Sequence, residues 1–398
     1  MPRSCGAGPT GLAASRGRRS GLASRPLALA AHLAVDGSGL ARPWAGVGTY
    51  TREILAALAD ARPEARFTVY APEGSLPAHR GISLRRPPAA RFFGRHLQWP
   101  LQLRALRASA YFGAAGVMPL AKVGLPAVVT AHDMAIYRHP EWFPGRQTLS
   151  VRLIVPRSMR RADAVVAVSR HTAADVGDLF GVPVERLHVV PEGVGPQYRP
   201  LPREELAAVG RRYDLPERFV LFVSTIEPRK NLETLLDAWS RLRERPPLVV
   251  AGGWGWRYEE VQRRLDRAPE GVRLLGPVRP AELPALYNLA TCLAHPAWYE
   301  GFGLTPLEAM ACGTPVVASS ASSLPEVVGD AGLLVPPGDP DGWRDALERL
   351  LDDAALRARL KDHGLRRASE FTWQKAAAAT WQVLDKVLQN SVSHGEEG

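Results

Sequence analysis

One local pattern repeats along this chain and limits what it can become: a short apolar run, a turn, then apolar residues at helical spacing. "LALAAHLAVD" (27–36) reads as a buried strand, and "GVGTYTREILAALAD" (46–60) opens a helix with Ile54, Leu55 and Leu58 on one face. "RFTVYAP" and "PAVVTAHDM" are strands, the second ending at His132 and Asp133. "ADAVVAVSRHTAADV" is a strand running into a helix with Ser169 as N-cap, and "RLHVVPEGV" is a further strand. The Pro-rich "GPQYRPLPREEL" then breaks the rhythm and predicts a domain boundary near residues 195–215.

The pattern resumes at "RFVLFVSTIEPRKNLETLLDAWSRL". Strands follow at "PPLVVAGG", "VRLLGP", "TCLAH", "TPVVAS" and "AGLLVP", and helices fill 340–388. Alternating short strands and helices imply parallel sheets covered on both faces. The fold class expected is therefore α/β, with two doubly wound domains and a cleft between them. Ligands of such sheets bind beyond the carboxyl ends of the strands. The expected divisions are a disordered leader at 1–25, a first domain at 26–200, a second at 210–373, and a closing helix at 374–390. With 398 residues, 46% of them hydrophobic and 23% charged, the chain has material for two cores.

Charge and cysteine usage narrow the partners. The first 107 residues carry 16 arginines, no lysine and 5 acids, a surplus of +11, which leaves the remainder at −1. Such a field attracts phosphates or an anionic surface. No zinc finger or aromatic-interleaved RNA motif accompanies it, so no nucleic-acid partner is expected. Three scattered cysteines (Cys5, Cys292, Cys312) make no disulfide framework and suit a reducing cytoplasm. No apolar run reaches membrane-spanning length. Residues 76–107 hold seven arginines and no acid, interleaved with Phe92, Phe93, Trp99, Leu101, Leu103 and Leu106. Cations beside exposed aromatics would dock on an anionic leaflet; the alternative is an ordinary helix with its leucines packed inward.

Four segments carry chemistry. In "YEGFGLTPLEAMACGTPVV", Gly301, Phe302 and Gly303 form a loop whose backbone N–H groups can approach a ligand, and Thr305 is expected to cap a helix with Pro306 at its first position. That helix start is an anion site, and Leu304 and Thr305 belong to it. Glu300 and Glu308 flank it; the plainer readings are a solvated loop acid for Glu300 and a capping box for Thr305 and Glu308. In "TIEPRKNLETLL", Arg229 and Lys230 follow a buried strand, where two cations can clamp a diphosphate or simply sit in a solvated turn. Gly46 and Gly48 open the first helix, but Thr51 stands where a dinucleotide fingerprint needs its third glycine. His132 ends a strand, either as a hydrogen-bonded terminus or as a site residue. Asp339 and Asp341 have the spacing of a metal pair but read as a helix N-cap and its first turn, so no metal is expected. The "GGWGW" loop, Gly252–Trp256, reads as a turn beside the ligand.

Together with "AVSRHT", "VVPEGV" and "LPEVVGDAGLLVPPGD", these segments resemble glycosyltransferase family 4 in order and spacing over Leu27 to Leu388. The resemblance implies a GT-B fold and a retaining, metal-independent nucleotide-sugar transferase similar to bacterial mannosyl- and rhamnosyltransferases of surface polysaccharide assembly. It implies that Glu308 holds the donor ribose and that Glu300 faces the sugar. By the same resemblance Gly301 to Thr305 grip hydroxyls and phosphate, Arg229 and Lys230 neutralise the diphosphate, and Gly46, Gly48 and His132 line the opposite side. GDP-mannose is the favoured donor and a UDP-sugar the alternative; the acceptor would be a glycan or lipid-linked sugar. The location implied is the cytoplasm, with peripheral contact at the inner face of the plasma membrane. Trp298 and Tyr299 depart from the family pattern, which usually has Ser after the proline. Competing readings are a nicotinamide oxidoreductase, a nucleotide-sugar epimerase, and a non-catalytic nucleotide-sugar-binding protein. The missing glycine opposes the first, and the paired acids and cations have no reason to occur in the second. Only an assay separates the third.

Overall fold

The protein was analysed as a computed structural model that describes residues 31–41, 46–87, 99–121, 123–145, 150–267 and 270–395. The leader at 1–25 lies outside them. Seven strands form the first sheet: β1 (His32–Asp36), β2 (Arg66–Tyr70), β3 (Ile82–Arg85), β4 (Ala110–Gly113), β5 (Ala127–Ala131), β6 (Ala164–Ala167) and β7 (Leu187–Val189). Six form the second: β8 (Val220–Val223), β9 (Leu248–Ala251), β10 (Val272–Gly276), β11 (Cys292–His295), β12 (Val316–Ser319) and β13 (Leu333–Val335). Every described pairing is parallel, since each connection is long enough to carry the chain back across a face. β4, β5, β6, β9, β11 and β12 are buried at every residue, as sheets covered on both faces require.

Strand order places the cleft. The first sheet runs β3-β2-β1-β4-β5-β6-β7 and the second β10-β9-β8-β11-β12-β13. In each, the winding direction reverses once, between β1 and β4 and between β8 and β11. Loops leaving the strands at such a reversal part to opposite sides and open a crevice. The loop after β1 leads to Gly46, the loop after β8 carries Arg229 and Lys230, and the loop after β11 carries Glu300.

The structure refines two sequence expectations. The Pro-rich stretch is not loop throughout: Arg203–Arg212 is a helix that buries Val209 and packs on the Leu283–Leu289 helix of the second domain. The link between domains therefore falls before it, in the early part of the expected window. The arginine-rich segment also differs from a surface of exposed aromatics. Trp99 and Leu103 are buried, with the Trp99 ring against Tyr70 and Tyr111, while Leu101 is exposed. Helical phase explains this, since Trp99 and Leu103 lie one turn apart on the core side of the Trp99–Ala105 helix. Phe92, Phe93, Arg91 and Arg95 lie outside the described residues.

The last helix, Trp373–Gly395, crosses back to the first domain and packs on the Gly46–Ala61 helix. Trp381 Nε1 donates to the Leu58 carbonyl at 3.0 Å, and Arg62 Nη1 donates to Asp385 at 2.8 Å. Where the chain first crosses, a Cβ on Gly193 would stand 2.2 Å from the Trp373 nitrogen, so the two crossings lie side by side.

Candidate active site

Strand-end loops of both sheets enclose a cleft of about 860 Å³. Gly46 and His132 line it from the first domain; Lys230, Trp254, Pro277 and Glu300 line it from the second. The glycines after β9 allow three of these loops to lie against one another. Gly252 has φ +148°, and a Cβ there would meet the Ser224 carbonyl oxygen at 1.7 Å.

The cations come from a single 3-10 turn, Pro228–Lys230, closed by Asn231 in the left-handed region. Asn231 Nδ2 donates to the carbonyls of Pro296 (2.9 Å) and Pro337 (2.7 Å), which ties the β8 loop to the loops after β11 and β13. Arg229 Nε donates to Glu227 at 3.0 Å, and its Nη1 donates to the Tyr299 carbonyl at 3.1 Å and approaches Glu300 at 3.4 Å. Lys230 Nζ lies 2.5 Å from Glu300 Oε1, and His295 Nε2 lies 2.8 Å from the same oxygen. Burial opposes the charge on Glu300, but Lys230, His295 and Arg229 overcome it and hold the carboxyl well below the usual range. Burial and the neighbouring Arg229 pull Lys230 downward. Burial likewise lowers His295; an ionised carboxylate only accepts, so His295 Nε2 carries the proton, and its buried Nδ1 has no hydrogen-bond partner. The arrangement is two cations already facing the carboxylates of Glu227 and Glu300, close enough to neutral that an arriving anion must compete for them.

Beside this cluster the backbone is prepared for an anion. Ser322 Oγ accepts the Glu300 N–H at 2.8 Å, and Ser323 Oγ reaches the carbonyls of Glu300 (2.9 Å) and Phe302 (2.7 Å). Gly303, with φ +116°, is the residue that starts the Leu304–Ala311 helix. Thr305 is thus the second helical residue and not its cap, Pro306 is the third, and no capping box forms. The tight turn enforced by Ser323 needs a left-handed residue one step before Leu304, which only Gly303 supplies without strain. Leu304 and Thr305 keep the unpaired N–H groups of a helix start and line the cleft. Glu308, the other expected half of the box, instead accepts the Tyr287 hydroxyl at 2.8 Å. Burial pushes its carboxyl up to about 7 despite help from Tyr287 and Tyr198.

On the opposite wall, His132 Nε2 donates to the Ala114 carbonyl at 2.7 Å, and its ring lies edge-on to Tyr50. Its Nδ1 stands 3.7 Å from Glu192 Oε1. Gly46, Val47 and Thr49 line the cleft, but Gly48 is buried within the helix, because successive helical residues turn about 100° apart. Asp339 accepts the Gly342 N–H at 2.9 Å as a helix cap, and Asp341 pairs with Arg241 and Arg344. Glu192, Glu227, His295 and Tyr287 received no role from sequence. Glu192 stood in plain view within "VVPEGV" as an acid in an apolar strand end; burial raises its pKa.

The glycosyltransferase family 4 model matches residues 44–198, and the glycosyl transferases group 1 model matches residues 210–367. O-antigen chain mannosyltransferase B of Escherichia coli is 36% identical over 261 residues, which are 64% of this chain and 68% of that protein. D-inositol 3-phosphate glycosyltransferase of Xylanimonas cellulosilytica is 32% identical over 378 residues, 85% of this chain and 91% of that protein. Among solved structures, Anabaena Alr3699/HepE in complex with UDP and glucose matches with a TM-score of 0.71 at 20% identity, over 90% of this chain and 100% of that one, a likeness of fold.

Proposed function

This chain belongs to glycosyltransferase family 4 and has the two-domain GT-B fold, and from that premise we propose that it moves a hexose, mannose by preference, from a nucleoside diphosphate sugar to a glycan or lipid-linked acceptor with retention of configuration. The observation that carries this reading is the junction of the Arg229–Lys230–Glu300 cluster with the open helix start at Gly303. Heterolysis of the sugar–phosphate bond sends its electron pair to the diphosphate and leaves positive character on the sugar. Arg229, Lys230 and the N–H groups of Leu304 and Thr305 stabilise the first, which is charge stabilisation at the atoms where charge develops. The diphosphate draws the two cations from Glu300, whose carboxylate is then free to face the sugar. Glu308 takes the ribose hydroxyls, and His132 presents Nδ1 to the sugar from the other wall.

GDP-mannose is the favoured donor because the Escherichia coli relative is a mannosyltransferase; a UDP-hexose is the alternative. The match over 91% of an inositol-phosphate glycosyltransferase favours a second acceptor class, a phosphorylated inositol. The reaction is assigned to the cytoplasm, against the inner face of the plasma membrane. No described helix is long and apolar enough to cross a membrane, and the first quarter of the chain carries the arginine surplus. Salt-sensitive sedimentation with anionic vesicles and none with neutral ones is the result expected of that docking; equal sedimentation with both contradicts it. For the chemistry, purified protein is incubated with GDP-mannose, UDP-glucose and UDP-galactose, with each acceptor class, and nucleotide release and product anomer are followed. Release from one donor with an α-linked product from an α-donor is expected. Release from none, or an inverted anomer, overturns the reading.

A further inference from the structure

Tyr299 stands immediately before Glu300 in the second domain, yet its side chain is buried against the first. Its hydroxyl accepts the Met134 N–H at 3.2 Å and donates to the Asp175 carboxylate. Asp175 is itself buried on the Arg170–Phe180 helix and is held by Arg138 Nε at 2.6 Å. The His171 ring of the same helix meets the Tyr299 ring edge-on, with centroids 5.1 Å apart. At its other end, the Tyr299 carbonyl accepts Arg229 Nη1. One residue thus touches the first domain with its side chain and a site cation with its backbone.

The neighbouring contacts run the same way. The Gly301 carbonyl accepts Ser169 Oγ at 2.6 Å and Thr172 Oγ1 at 3.0 Å. Across the same seam, Glu326 of the second domain accepts the N–H groups of Arg170 and His171, both at 2.8 Å. The β11 loop that carries Glu300 is therefore fixed to the start of one helix of the other domain, and Tyr299 joins that contact to Arg229 through its carbonyl.

We propose that Tyr299 is a positioning residue that couples docking of the Arg170–Phe180 helix to placement of Arg229 and Glu300, so that the charge cluster is completed only when the domains are closed. This rests on the transfer reading above. The closing contacts of Tyr299 come from its hydroxyl, so Tyr299→Phe removes them while keeping the ring in its packing site. Asp175→Asn removes the acceptor's charge from the other domain.

The test uses the full chain. Small-angle scattering of the free protein reports closure, and steady-state kinetics report site assembly. For Tyr299→Phe the expected result is a larger radius of gyration than wild type, a kcat lower by about ten- to a hundredfold, and a donor KM within about threefold, since the cations and Glu308 remain on the second domain. The double variant with Asp175→Asn is expected to be no worse than the poorer single variant, as members of one unit behave. An unchanged radius overturns the proposal, as does an expanded radius with wild-type kcat, or losses that multiply in the double variant. A fall in kcat that tracks a fall in melting temperature at constant radius assigns Tyr299 to packing alone and also overturns it. If no donor supports turnover, the transfer reading fails separately, and the scattering comparison still decides whether Tyr299 holds the domains together.

Discussion

Glu300 and Glu308 sit on one cleft wall, and their surroundings drive them in opposite directions. Two cations and an imidazole N–H surround Glu300, whereas Glu308 has phenol hydroxyls and, among the described residues, no cation partner. Burial pushes Glu308 up to about 7 from an ordinary 4.5, so the folded protein binds that proton more tightly than the unfolded chain does. Its contribution to stability is full below about 4.5 and is lost as pH rises through about 7, on the order of 3 kcal/mol in all. Glu300, held low, contributes in the reverse sense, losing its stabilisation as pH falls. Glu308→Gln is therefore expected to flatten the decline in urea midpoint between pH 5 and pH 8; parallel curves for variant and wild type would show that Glu308 is not the titrating group. Strand, loop and helix signals placed Arg229, Lys230 and Glu300 in strand-end loops and Glu308 in the helix that follows, while the roles expected of them came from the family resemblance. Their partners were not legible from sequence. His295 is the last residue of the apolar strand β11 and reads as part of it, and Glu227 reads as an ordinary turn acid until the loops are folded together.

At the scale of elements, the start of the Leu304–Ala311 helix decides the site. Sequence places the cap at Thr305, the commoner residue type for that role, and the helix starts two residues earlier because Ser323, twenty residues beyond Gly303, fixes the carbonyls of Glu300 and Phe302. A hydroxyl so distant leaves no local signal. The glycine itself does: only a residue tolerant of φ +116° fits, and a Cβ on Gly303 would lie 2.9 Å from Leu324 Cδ2. Gly303→Ala is expected to cost about 1–3 kcal/mol of stability from backbone strain. It should also weaken nucleotide affinity more than Ala substitution at Gly46, where a Cβ meets open space. Denaturant titration and calorimetry on the two variants check this, and equal effects would remove the helix start from the site.

Over the whole molecule, two sheets with one winding reversal each face a common cleft, and a last helix returns to brace the first domain. The rhythm of the sequence announced the six strands of the second sheet and five of the first, but not β3 or the fully buried β4. It placed the domain link only within a broad window, because the helix Arg203–Arg212 is short, charged and attached by one modest apolar face. The proposed transfer requires this cleft to hold a nucleoside diphosphate, with Arg229 and Lys230 on its terminal phosphate. Calorimetric titration with the nucleoside mono- and diphosphate of the base that supports turnover tests this most directly. Wild type is expected to bind the diphosphate at least about tenfold more tightly than the monophosphate, and Lys230→Ala to lose most of that gap, a difference of about 1.4 kcal/mol or more. Equal affinities in the wild type, or a gap that survives Lys230→Ala intact, would contradict the claim.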